Sequence, residues 1–191
     1  MKNTIVCMVY CCALLFAKSV SGQVDTPILN FEKKQVDQTP MLLGRCSISA
    51  FKNEPYNTWF QKNYAAHQID SQSINAIKPL LKKKKIDLFL GTWCGDSKWE
   101  VPRMLKILEA AGFDTSQLAI VCVSNETDLY KKSPQGEEKG KNIQRVPTLI
   151  VYEKNKEIGR IIESPVVTLE KDLLSILRKE PYVPNHANLN N

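Results

Sequence analysis

The chain has 191 residues, 43% of them hydrophobic and 24% charged, with a formal net charge of +6. That length supports one domain plus a short extension. The positive balance is too mild to argue by itself for a nucleic-acid or membrane partner.

Residues 1–22 differ from the rest. Lys2 precedes an apolar run from Ile5 to Ala17, and the small residues Ser19, Ser21 and Gly22 follow. A charged start, an apolar middle and a small-residue exit predict a secretory signal peptide. The run falls short of the roughly 20 apolar residues that span a bilayer. Cleavage is expected near Gly22-Gln23 or at Ser21, the other reading being an uncleaved anchor. Neither Val9-Tyr10-Cys11 nor Tyr10-Cys11-Cys12 looks like a lipoprotein cleavage box. Cleavage would remove Lys2 and Lys18 and no acid, lowering the charge from +6 to +4. Of the six cysteines it would leave Cys46, Cys94 and Cys122. An odd number leaves at least one thiol free or paired between molecules, which argues against a disulfide framework.

Residues 23–52 are weakly periodic, with a short strand or edge segment expected within Thr39–Gly44. Asn53-Glu54-Pro55 reads as a helix start. Tyr56, Trp59, Phe60 and Tyr64 then recur at helical spacing, giving one inward aromatic stripe. A second helix is expected over 73–81, with Ile74, Ile77, Leu80 and Leu81 apolar, a break at Pro79 and the solvated run Lys82–Lys85 closing it. Strands are expected over 86–92, 118–124, 148–152 and 157–162. A helix over 95–111 ends at Gly112. The polar stretch 125–142 reads as a mobile loop with a turn of helix at most. Glu153–Lys156 forms a hairpin turn, and Thr168 caps a last amphipathic helix over 168–180. Residues 181–191 read as a disordered tail. This order of elements predicts an α/β fold, a central mixed sheet with helices on both faces, preceded over 23–70 by an extension with an aromatic amphipathic helix.

The chemistry concentrates at Trp93-Cys94-Gly95-Asp96-Ser97, where a buried strand delivers one cysteine to the first turn of a helix. A helix N-terminus carries unpaired N–H groups and partial positive charge, which favour thiolate over thiol. Gly95 lets another chain approach the sulfur. Asp96 suits the helix dipole but opposes a thiolate, so the two effects have opposite sign. About fifty residues on, Arg145-Val146-Pro147-Thr148 opens another apolar strand. Cys122 lies inside Ile120–Val123 and reads as inert core. Cys46 stands beside Arg45 in a less regular segment and is the candidate resolving thiol. His67 and His186 form no metal pattern, and His67 reads as a surface or capping side chain. Trp93 is a candidate to line a groove, and Trp99, on the helix, is as open to packing as to lining one.

Trp93-Cys94-Gly95, Pro102 five residues after Ser97, and Val146-Pro147-Thr148 together resemble the thioredoxin family. The hairpin residues Asn155–Gly159 are similar too, and the likeness covers about residues 71–180. The resemblance implies a thioredoxin-like fold, a nucleophilic Cys94, a cis Pro147 and a Val146 backbone that pairs with an extended substrate chain. Two positions depart from the family. Ser97 stands where the second cysteine would be; it cannot resolve a mixed disulfide, but its hydroxyl can support the Cys94 thiolate. Leu88 stands where the family has a buried acid, and Asp87, one residue away, points to the other face.

The expectation is therefore an exported protein, periplasmic or secreted, that exchanges thiols and disulfides through one cysteine, a CxxS variant. Cys94 and Ser97 are its catalytic candidates, and Trp93, Gly95, Val146 and Pro147 its substrate-binding candidates. It needs no cofactor and no metal. Its partners would be protein or low-molecular-weight thiols and disulfides, with an external reductant or resolving thiol, no nucleic acid and no stable membrane insertion after cleavage. The alternative is a non-catalytic peptide-binding or scaffold module on the same fold. A peroxidase-type cysteine ranks last, since the threonine expected three positions before the cysteine is Gly91 here, with Thr92 one residue off.

Overall fold

A computed structural model of the chain describes residues 28–190. The expected signal peptide lies outside these residues. Six strands form one sheet: β1 (Phe31–Lys34), β2 (Pro40–Cys46), β3 (Lys84–Leu90), β4 (Leu118–Cys122), β5 (Thr148–Glu153) and β6 (Lys156–Ile162). Their spatial order is β1-β2-β4-β3-β5-β6. Four helices accompany them: α1 (Tyr56–Ala66), α2 (Ser71–Ile77), α3 (Gly95–Ala110) and α4 (Leu169–Arg178).

β3 and β4 run parallel, and the other neighbouring strands pair antiparallel. A parallel pair needs a crossover, which α3 supplies. β5 and β6 are joined through Lys154 and Asn155, both at positive φ, the backbone of a tight hairpin turn. The helix ends follow local chemistry. Asp70 caps α2, its carboxylate accepting from the Gln72 and Ser73 amides, and Thr168 caps α4 by accepting from Lys171 N. Pro79 cannot continue α2, and the chain tightens into a 3-10 turn over Lys78–Leu80. Gly112 follows α3 at φ +68, a conformation that costs glycine least.

Alternation along the strands separates two apolar faces. On one, Ile86, Leu88, Leu90, Ile120, Cys122 and Leu149 meet apolar residues of all four helices. Phe51, Trp59, Phe60 and Tyr64 form a chain of ring contacts, Phe51 and Phe60 stacking at 5.6 Å. On the other face, Phe89, Val121, Val123 and Ile150 pack with Val146, Ile143, Trp93 and Cys94. The helices thus lie on one face rather than both. The second face is covered by the segment 125–146, whose one helical piece is a 3-10 turn at Thr127–Leu129. This cover is pinned at both ends. Lys33 pairs with Glu126 at 2.6 Å and Asn125 Nδ2 donates to Gln35 at 2.5 Å. At the far end Lys141 pairs with Asp87 at 2.6 Å, and Arg160 donates to the Lys141 carbonyl at 2.9 Å.

Two further differences from expectation have plain causes. The lysine run does not close a helix: Lys84 and Lys85 open β3, and Lys84 is buried beside Glu153, their charges 2.8 Å apart. Past residue 180, Tyr182 donates to Asp172 at 3.0 Å and Asn185 donates to the Ser164 and Pro165 carbonyls at 3.1 Å. No helix among the described residues is long and apolar enough to cross a membrane.

Candidate functional site

β3 ends at Leu90, and Gly91-Thr92-Trp93 turns the chain into α3. The turn is closed by Cys94 N donating to Gly91 O at 2.9 Å, and the helix begins with Lys98 N donating to Cys94 O at 3.0 Å. Cys94 is therefore the N-cap, in extended conformation, and makes no side-chain cap bond of its own. Its sulfur sits where a helix has unpaired N–H groups and partial positive charge.

The turn is locked from three sides. A Cβ at Gly91 would come within 2.5 Å of the Trp93 indole, so the ring folds back over a position only glycine leaves clear. Trp93 Nε1 donates to Val123 O at 2.8 Å, and its ring lies 5.8 Å from that of Tyr130. Thr92 Oγ1 accepts from Leu42 N at 3.2 Å, tying the turn to β2. Ser97 is 0% exposed and its Oγ accepts from Gly91 N at 3.2 Å. The hydroxyl thus holds the turn rather than the sulfur.

From across the sheet, the peptide between Val146 and Pro147 is cis. Cys94 Sγ donates to Val146 O at 3.3 Å, joining two segments 52 residues apart in sequence. Pro147 O accepts from Glu163 N at 2.7 Å, and Arg145 forks onto the Glu163 carboxylate at 2.9 and 3.0 Å. That carboxylate also meets His186 at 2.6 Å. Around Gly95 the space is open, with nothing within 4 Å of an added Cβ.

Trp93, Cys94 and Val146 are thus brought together, with Gly95 open beside them, Pro147 adjoining and Ser97 one layer below. Asp96 points to solvent. Cys46 is not brought to Cys94. It is 6% exposed, its Sγ donates to Gly44 O at 3.5 Å, and it belongs to the helix-covered face, whereas Cys94 packs on the other. Cys122 is its neighbour there; burial, and then the Cys46 side chain, push the Cys122 thiol well above the usual cysteine range. Leu88 is buried in the helix-side core, and Asp87, on the opposite face, is neutralised by Lys141.

His67 is not a surface side chain. Its Nε2 meets Glu170 at 2.9 Å and its Nδ1 accepts from Arg103 Nε at 3.3 Å, which makes Nε2 the donor to the carboxylate. Arg103 continues to Glu100 at 2.8 Å. Burial raises the Glu100 carboxyl above its usual range, with Arg103 opposing the rise. This chain joins the end of α1, the start of α4 and the site helix α3. Its members lie up to 103 residues apart, so no local signal in the sequence announces it. Trp99 is 52% exposed, its ring 5.0 Å beneath the Arg103 guanidinium, rather than packed inside. Among the described residues, no group of three or more His, Cys, Asp or Glu could hold a metal ion.

No family model matches the chain, and no curated protein matches it. Among solved structures, it is similar to a Pseudomonas aeruginosa protein of unknown function at 14% identity and TM-score 0.45, over 71% of this chain and 92% of that one. It is similar to mitochondrial thioredoxin 3 of Saccharomyces cerevisiae, in its oxidised form, at 25% identity and TM-score 0.30, over 47% of this chain and 76% of that one. A chain from work on the thiol resolving mechanism of yeast mitochondrial 1-Cys peroxiredoxin is similar at 27% identity and TM-score 0.30, over 46% of this chain and 76% of that one.

Proposed function

We propose that the protein is an exported, thioredoxin-like thiol–disulfide exchange protein that acts through Cys94 alone. The observation that carries this reading is the position of the sulfur. It belongs to the N-cap residue of the site helix and lies 3.3 Å from the Val146 carbonyl, beside an open glycine. A structural cysteine has no need of that arrangement; Cys46 and Cys122, buried in the core, show the contrast.

In the reaction, the Cys94 thiolate attacks one sulfur of a protein or small-molecule disulfide. A new S–S bond forms to Cys94, the old one breaks, and the departing thiolate takes a proton from water. No described thiol stands near enough to release the adduct. A second, external thiol therefore attacks the mixed disulfide and returns Cys94 to its reduced form. This cycle suits disulfide isomerisation or removal of small-thiol adducts better than fast net reduction. Val146 and Pro147 position the substrate, Trp93 forms the rigid wall beside it, and Ser97 fixes the turn that presents the sulfur.

The test is the rate of mixed-disulfide turnover with a free thiol as acceptor. Cys94→Ala should abolish turnover, whereas Cys46→Ala should retain it. Turnover that survives Cys94→Ala would overturn the reading. Peptide binding with no turnover in either protein would favour the non-catalytic module.

A further inference from the structure

A cleft of about 460 Å³ opens next to the Cys94 turn, between the β1–β2 hairpin, the start of α1 and the start of α3. Such a volume lies within the range that holds small molecules or side chains. Its walls include Tyr56, Trp59, Thr92, Trp93, Lys98 and Asp37. Two of these residues bracket the nucleophile. Trp93 precedes Cys94, and Lys98 lies one helical turn beyond it, its amide bonded to the Cys94 carbonyl. Residues four apart share a helix face. Cys94 itself does not line the cleft, but its neighbours Trp93 and Lys98 do.

The walls are rigid. The Trp93 indole is held by Val123 O, and Trp59 packs edge-on against Phe60 at 6.0 Å. Tyr56 OH donates to Glu32 at 2.9 Å. Asn63 Nδ2 donates to Lys98 O at 2.8 Å, fastening α1 to the site helix. The two charged groups of the lining differ in their engagement, although Asp37 keeps its negative charge. The Asp37 carboxylate is engaged by the Thr39 amide at 3.0 Å and the Thr39 hydroxyl at 2.6 Å. The Lys98 ammonium has no hydrogen-bond or ion-pair partner among the described residues.

We infer that this cleft, built by the N-terminal extension, selects the protein disulfides on which Cys94 acts. It takes an aromatic side chain flanking the substrate cysteine, with an acidic residue nearby. The inference rests on the exchange reading above and adds a specificity-determining site to it. Three aromatic rings in the lining suit an aromatic side chain, and Lys98 supplies a charge complementary to an acidic one. A peptide occupant suits the geometry better than a free small molecule, because the cleft and Sγ are bridged by the Trp93–Lys98 segment. Occupying both at once requires a chain running between them.

The experiment compares second-order rate constants of the full-length mature protein with three disulfides. One peptide disulfide carries Phe and Glu beside its cysteine, one carries Gly and Lys there, and hydroxyethyl disulfide is too small to reach the cleft. The Phe–Glu peptide should outpace the Gly–Lys peptide by about tenfold, roughly what burying one aromatic side chain and one weak ion pair supplies. Trp59→Ala should collapse that ratio towards one. Should Trp59→Ala fold poorly, Lys98→Glu serves alone: it should reduce the preference for the acidic flank and make the rate with the basic-flanked peptide rise. Equal rates for the two wild-type peptides, or a ratio unmoved by both substitutions, would overturn the cleft assignment while leaving exchange by Cys94 intact. Absence of reaction with all three disulfides would instead overturn the exchange reading on which the inference rests.

Discussion

Ser97 shows how much one hydroxyl can carry at this site. It is fully buried and satisfies the amide of Gly91, the residue over which the Trp93 ring folds. Removing the hydroxyl leaves a buried N–H without an acceptor, a loss of about 1–3 kcal/mol. Ser97→Ala should lower the urea midpoint by a corresponding amount and loosen the turn, so that Trp93 fluorescence changes with it. An unchanged midpoint would mean that the turn does not depend on this bond. The sequence names Ser97 by its spacing from Cys94, yet its partner is visible in the fold alone. A hydroxyl three positions into a helix can turn towards the sulfur or back under the strand, and local spacing does not choose between the two. The pattern Val146-Pro147-Thr148 implied a Val146 backbone engaged with substrate; that its carbonyl accepts from Cys94 Sγ is visible in the fold alone. The His67–Arg103–Glu100 chain was not legible, because each member looks like an ordinary surface residue until α1, α3 and α4 are packed together.

At the level of elements, strands β3 to β6 and the helices were readable from apolar runs and caps, with boundaries shifted by a few residues. β1 was not. Phe-Glu-Lys-Lys has one apolar residue and no alternation, and it forms a strand because β2 offers it an edge. The placement of all helices on one face escaped sequence reading for a related reason. A polar connection such as 125–146 gives no period, so nothing local says that it will spread over the second face of a sheet. Ion pairs, rather than a helix's apolar stripe, fix the ends of that cover. Elsewhere a second pair network stitches elements together. Glu153, at the end of β5, lies 2.8 Å from Lys84 on β3 and 2.5 Å from Lys179 after α4. The Lys179 and Lys84 ammonium groups hold its carboxyl down at about 2, against an ordinary 4.5. A carboxyl depressed in the folded state contributes stability above its unfolded value, and that contribution is lost as pH falls through the folded one. Glu153→Gln should therefore lower Tm most at pH 5 to 7, with the gap to wild type closing between about pH 4.5 and pH 2. A gap independent of pH would show that the charge on Glu153 is not what joins β3, β5 and α4.

For the whole molecule, the distribution of thiols is the feature on which the proposed exchange rests. Cys46 and Cys122 are sealed into the helix-side core, and Cys94 stands on the opposite face at the surface end of the sheet. The extension over residues 28–70 does not add a thiol to the site. It adds walls, through α1 and the β1–β2 hairpin, and it fastens them to the site helix. The fold thus leaves one sulfur partly exposed and buries the other two; on the proposed exchange reading, release of the adduct falls to a partner. The most direct test is intact-mass spectrometry of the chain from residue 23 onward after exposure to excess hydroxyethyl disulfide. One mercaptoethanol adduct should form on the folded protein, map to Cys94, and persist until an external thiol is added; the unfolded chain should take three. Loss of two hydrogens with no adduct, the mark of an internal disulfide formed through Cys46 or Cys122, would contradict a mechanism that runs through Cys94 alone.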